Sequence, residues 1–121
     1  MGKVLIIEDD AMLNRVYTLK FAAEKIDVEF AVNAEEGFKK VKELKPSLVI
    51  LDLILPPRGG FEVLEKMQKS EELSVIPVVV VTGLGQAIDK ERCMALGAKE
   101  YIIKTQTPLA EIIEKIKILL K

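Results

Sequence analysis

Histidine is missing from the 121 residues altogether. No imidazole is available as a general base, a metal ligand or a carrier of a phosphoryl group. A single cysteine, Cys93, excludes an intrachain disulfide and a cysteine cluster for zinc. An excess of either charge is lacking too. With 18 basic and 19 acidic residues the net charge is −1, which argues against direct nucleic-acid binding. No apolar run approaches the ~20 residues of a membrane span. The opening Met1-Gly2-Lys3-Val4 runs into an apolar segment without the layout of a signal peptide. These absences lead to the expectation of a cytoplasmic protein in a reducing compartment, away from membranes.

What is present is enough for one domain spanning 1–121. Half of the residues are hydrophobic and 31% are charged, a globular balance, and one core can form without staples. Short apolar runs alternate with segments of helical period. Lys3–Ile7 reads as a buried strand and Ala11–Glu24 as a helix with Leu13, Val16 and Phe21 inward. Val28–Val32 is a second strand. Asn33 stands as N-cap of the next helix with Glu36 in capping-box position, and Phe38, Val41 and Leu44 form its expected buried stripe up to Pro46. Ser47–Leu51 is a third strand, and Pro56-Pro57-Arg58-Gly59-Gly60 a loop. A helix follows from about Phe61 to Lys69, with Leu64 and Met67 inward. Val75–Val81 is the fourth strand. A helix then runs from about Gln86 to Leu96, ended by Gly97. Tyr101–Ile103 is the fifth strand. The last helix begins with Thr107 as N-cap and Pro108 at its first position, and its stripe Leu109, Ile112, Ile113, Ile116, Leu119 and Leu120 reads as core.

Uniformly apolar strands alternating with helices imply a parallel sheet covered on both faces. Five such units suit an α/β, flavodoxin-like (βα)5 doubly wound fold with strand order 2-1-3-4-5, whose ligands sit beyond the carboxyl ends of the strands. The residues found there are Glu8 and Asp9 after the first strand, Asp52 after the third, Thr82 after the fourth and Lys104 after the fifth. Acids brought close together repel unless a cation joins them, and oxygen ligands alone select a hard ion such as Mg²⁺. A central carboxylate, Asp52, is then the natural nucleophile toward a phosphoryl group, with Thr82 and Lys104 neutralising charge on it. Asp10 reads as a solvated charge.

Leu5-Ile6-Ile7-Glu8-Asp9-Asp10, Leu48-Val49-Ile50-Leu51-Asp52-Leu53-Ile54-Leu55-Pro56 with Gly60, Val78-Val79-Val80-Val81-Thr82, and Ala95-Leu96-Gly97-Ala98 with Tyr101-Ile102-Ile103-Lys104 together resemble the receiver domain of two-component response regulators. The resemblance covers essentially the whole chain. It implies a regulatory phosphoacceptor, not a metabolic enzyme. Asp52 would take phosphoryl from the phosphohistidine of a sensor histidine kinase or phosphotransfer protein. Mg²⁺ would be held by Asp9, by Glu8 through water, by Asp52 and by the main-chain carbonyl of Ile54. Lys104 would pair with phosphorylated Asp52. Thr82 and Tyr101 would act as switch residues that alter the face of the fourth helix, fifth strand and fifth helix, read by a downstream target. Ile54 and Leu84 occupy the positions that tune phosphate loss in the family; both are apolar, so a long-lived phosphoryl group is expected. Thr105 replaces the proline that usually follows the lysine. A cis bond there would cost about 3 kcal/mol, so a trans Lys104–Thr105 peptide is expected. With Lys121 directly after the fifth helix, no output domain is expected within the chain.

Other functions fit these residues less well. A phosphatase working through aspartyl phosphate needs a second acid two residues after its nucleophile, where Ile54 stands. A non-phosphorylated interaction module would not need the acid set. A nucleotide-binding domain would show a glycine-rich turn after the first strand, which is absent.

Overall fold

In the computed structural model, residues 3–55 and 59–120 are described. Four-residue runs with no polar side chain, β1 (Val4–Ile7) and β3 (Leu48–Leu51), lie at the centre of a sheet, buried on both faces, and β4 (Val78–Thr82) is buried throughout beside them. The edge strands β2 (Val28–Ala31) and β5 (Glu100–Ile103) each carry one glutamate and are partly exposed. Glu29 pairs with Lys3 at 3.6 Å and Glu100 with Lys115 at 3.8 Å, so the edges are charged, as an edge open to solvent requires. All neighbours are parallel and the order is β2-β1-β3-β4-β5, the order expected from the alternation.

Alternate strand residues face opposite layers. On one side Leu5, Ile7, Val49, Leu51 and Val80 meet α2 (Ala34–Leu44), α3 (Phe61–Gln68) and α4 (Ala87–Ala95). On the other, Val4, Ile6, Ile50, Val79 and Val81 meet Tyr17 and Phe21 of α1 (Ala11–Ala23) and Ile112, Ile113 and Ile116 of α5 (Leu109–Leu120). The apolar stripe of α5 is thus core, as expected. Among the described residues no helix is long and apolar enough to cross a membrane.

Local signals hold where they depend on one or two side chains. Asn33 Oδ1 accepts the Glu36 N–H at 2.8 Å, and the Glu36 carboxylate reaches back to the Val32 N–H at 3.0 Å. Gly97 takes the left-handed conformation (φ 93°) after α4. Four readings need correction. Asp10 is no idle surface charge: its Oδ1 accepts the Leu13 N–H at 3.1 Å and caps α1. Val75 lies outside β4 and is 77% exposed, because residues 70–76 spend their main-chain groups on turns, with Ser74 N–H donated to Ser70 O and Ile76 N–H to Leu73 O. Leu44 keeps 37% exposure; α2 approaches the sheet through Ala34, Gly37 and Val41, and a Cβ on Gly37 would stand 2.7 Å from Ile7. The start of α5 is one residue later than expected, with the Pro108 carbonyl accepting the Glu111 and Ile112 N–H groups. Residues 56–58, including Arg58, and the terminal residues 1–2 and 121 fall outside the described residues.

Candidate functional site

Parallel strands end at a common edge, and the main chain stays in the ladder for one residue more. Glu8 N–H donates to Ala31 O at 2.9 Å, Asp52 N–H to Ile7 O at 3.0 Å and Lys104 N–H to Thr82 O at 2.8 Å. Three candidate side chains are therefore fixed at their roots by sheet hydrogen bonds, not by loops.

One carboxyl oxygen from each of Glu8, Asp9 and Asp52 lies within 4.8 Å of the others. Glu8 and Asp52 are buried and Asp9 is exposed, so the cluster opens to solvent through Asp9. The Lys104 ammonium stands 2.6 Å from Glu8 Oε1 and 2.8 Å from Asp52 Oδ2, bridging the two buried acids. It reaches them with Thr105, not proline, as the following residue. The remaining oxygens are tied to the main chain: Asp52 Oδ1 accepts the Ile54 N–H at 3.0 Å and Glu8 Oε2 the Asp10 N–H at 3.1 Å. Gly60 lets the main chain before α3 pass against Asp52, because a Cβ there would collide with the Asp52 carbonyl oxygen.

Electrostatics follow from burial. Glu8 is pushed up to about 7, chiefly by desolvation; the Lys104 hydrogen bond opposes this and the Asp52 charge adds to it. Desolvation would lower Lys104, but its hydrogen bonds to Asp52 and Glu8 outweigh that and hold the amine above its ordinary value. Two buried acids share one ammonium and a third acid stands at the rim, so the site is short of positive charge. An all-oxygen donor set with that deficit fits a small hard dication.

Thr82 is fully buried, and its hydroxyl accepts the Leu84 N–H at 3.4 Å. Tyr101 donates its hydroxyl to the Leu84 carbonyl at 2.7 Å, and burial first, then nearby Asp89, pushes that phenol up to about 12. Both proposed switch residues are thus bonded to the main chain of Leu84 and not to the acid cluster. The sequence reading missed Asn14 and Tyr17. Asn14 donates to the Glu8 carbonyl at 2.8 Å, and Tyr17, one turn on, is fully buried, its phenol raised by burial and then by the Glu8 and Asp52 charges. Asn14 Oδ1 and the Tyr17 hydroxyl have no hydrogen-bond partner among the described residues. Two polar residues at i, i+3 on the inward face of α1 were the available signal.

The pH dependence of stability without divalent metal follows. Glu8 binds its proton more tightly folded than unfolded, so its contribution is complete below about pH 4.5 and is lost as pH rises through about 7. Glu8→Gln is expected to raise stability at pH 8 by roughly 1–3 kcal/mol and to change it little at pH 4.5. Urea midpoints in chelator at the two pH values check this; an equal effect at both would refute it.

The description "Response regulator receiver domain" belongs to the family model that matches residues 4–117. The chain is 32% identical over 121 residues to the DNA-binding dual master transcriptional regulator RpaA of Synechocystis sp., which covers 100% of this chain and 50% of that protein. It is 34% identical over 117 residues to the protein-glutamate methylesterase/protein-glutamine glutaminase 1 of Myxococcus xanthus, covering 95% of this chain and 33% of that enzyme. Among solved structures, the non-phosphorylated HemR receiver domain of Leptospira biflexa superposes with a TM-score of 0.90 at 28% identity, covering 100% of this chain and 95% of that one. The chain spans about half the length of the curated relatives RpaA and PhoB that it matches.

Proposed function

Since the chain belongs to the response regulator receiver domain family, a regulatory family of phosphoacceptors, we propose that Asp52 is the residue phosphorylated and that Glu8, Asp9, Thr82 and Lys104 serve that transfer. The observation that carries this reading is the Lys104 ammonium shared between two buried acids, one of them at the centre of a three-carboxylate cluster. An ordinary structural ion pair does not need the third acid.

With no histidine of its own, the chain receives phosphoryl in trans. The donor is the phosphohistidine of a sensor histidine kinase or phosphotransfer protein. The phosphorus–nitrogen bond breaks, the imidazole keeps the electron pair, and an oxygen of the Asp52 carboxylate forms the new bond to phosphorus. Asp9, Asp52, the Ile54 carbonyl and, through water, Glu8 would hold Mg²⁺, which would supply positive charge to the phosphoryl oxygens. Lys104, already on Asp52 Oδ2, stays with the acyl phosphate and offsets its added charge. The hydrogen bond of the Thr82 hydroxyl at 3.4 Å is long and readily exchanged for one to a phosphoryl oxygen.

Leu84 is where the switch is joined. Its N–H is bonded to Thr82 and its carbonyl to Tyr101, so drawing Thr82 toward Asp52 disturbs both bonds and frees Tyr101. The change alters the face made by α4, β5 and α5, which a target protein or output domain reads. The domain works in the cytoplasm beside its kinase.

Incubation with Mg²⁺ and acetyl phosphate is expected to add one phosphoryl group to the wild type and none to Asp52→Asn, read by intact mass; uptake by the variant would overturn the assignment. Ile54 is 53% exposed and Leu84 half-buried, and neither side chain can hold an attacking water. Phosphoryl loss is therefore expected to be slow. Ile54→Asn is expected to speed it several-fold in a decay assay, and an unchanged half-life would contradict that.

A further inference from the structure

Helix α4 is lightly anchored. It buries one side chain, Cys93, whereas α3 buries Val63, Leu64 and Met67, and α5 buries Ile112, Ile113 and Ile116. A helix with so little buried surface is free to shift unless something else holds it.

A second hold comes from Arg92. Its guanidinium carbon lies 3.9 Å from the centroid of the Phe61 ring, and its Nη2 lies 3.5 Å from Glu65 Oε1. Phe61 and Glu65 are i, i+4 neighbours on α3, so one arginine grips two adjacent side chains of the next helix. The stack is well within the ~6 Å reach of a cation over an aromatic face, and the planar guanidinium suits it better than an ammonium. Phe61 also has a privileged position in the chain. It follows Gly60, whose α-carbon lies against the Asp52 carbonyl and whose N–H donates to Leu53 O at 2.8 Å. The route Asp52, Gly60, Phe61, Arg92 therefore joins the acid cluster to α4 without passing through Thr82, Leu84 or Tyr101.

We propose that Arg92 is a positioning residue that latches α4 to the first turn of α3 in the unphosphorylated arrangement, and so sets how readily a charge added at Asp52 moves the α4 face. This rests on the phosphoacceptor reading of Asp52. When the Leu84 segment that leads into α4 is pulled by Thr82, α4 moves only if Arg92 slides off Phe61 and leaves Glu65. Both contacts are half-exposed, and their combined loss shifts the balance about tenfold.

The test uses the whole chain with Mg²⁺ and beryllofluoride, followed by amide NMR, together with hydrogen exchange of the proteins without added ions. Arg92→Ala is expected to lower the beryllofluoride concentration at half-saturation about tenfold and to speed exchange of α4 amides, with the central strands unchanged. Arg92→Lys, which keeps a cation over Phe61, is expected to fall between the two. If Arg92→Ala leaves either half-saturation or α4 exchange at the wild-type value while the wild type saturates normally, the latch is overturned and the Asp52 reading stands. If the wild type itself takes up no beryllofluoride, the Asp52 reading falls and the proposed threshold with it.

Discussion

The ammonium of Lys104 between Glu8 and Asp52 is the contact on which the rest of the architecture turns. Two carboxylates almost without solvent cannot remain charged side by side in a sheet edge unless a cation accompanies them. Lys104 supplies one positive charge to two buried acids, with a third carboxylate, Asp9, at the rim. Burial first, and then the Asp52 charge, raise the proton affinity of Glu8 against the opposing Lys104 hydrogen bond. The site is thereby poised: it is held together well enough to fold, and three carboxyl groups sharing one ammonium leave it with an affinity for further positive charge.

That poise depends on the sheet. Because β1, β3 and β5 are parallel and their ladders continue one residue beyond the strands, Glu8, Asp52 and Lys104 emerge from one edge at fixed spacing. Function in this fold asks little of the loops for positioning, and the loops are then available to move. The Leu84 main chain, bonded to Thr82 on one side and Tyr101 on the other, is the clearest case, and α4 with its single buried side chain is the element such motion can carry.

Much of this was legible in the sequence, and the reasons differ by residue. The central strands declare themselves because burial on both faces demands an unbroken apolar run, and the acids stand out because each follows such a run directly. Asn33 was legible because a cap is a local device. Val75 and Leu44 misled because apolar character alone does not say where a turn takes the backbone or where a small residue brings a helix closest to the sheet. Asp10 looked like surplus charge because a cap and a metal-site acid have the same side chain. The bond from Asn14 to the Glu8 carbonyl and the stack of Arg92 on Phe61 were out of reach: each joins residues that only tertiary packing brings together. That Lys104 reaches Asp52 without a following proline was likewise a matter of packing.

The claim at the centre is that three separated acids form one cation site around Asp52. Calorimetric titration of the chain with MgCl₂ tests it most directly, with Asp9→Asn as the companion because Asp9 is exposed and its loss spares the core. A single saturable binding event is expected in the wild type, accompanied by a rise in thermal midpoint, and its loss in Asp9→Asn. Absence of saturable heat and of any midpoint shift in the wild type, or undiminished binding by the variant, would contradict it.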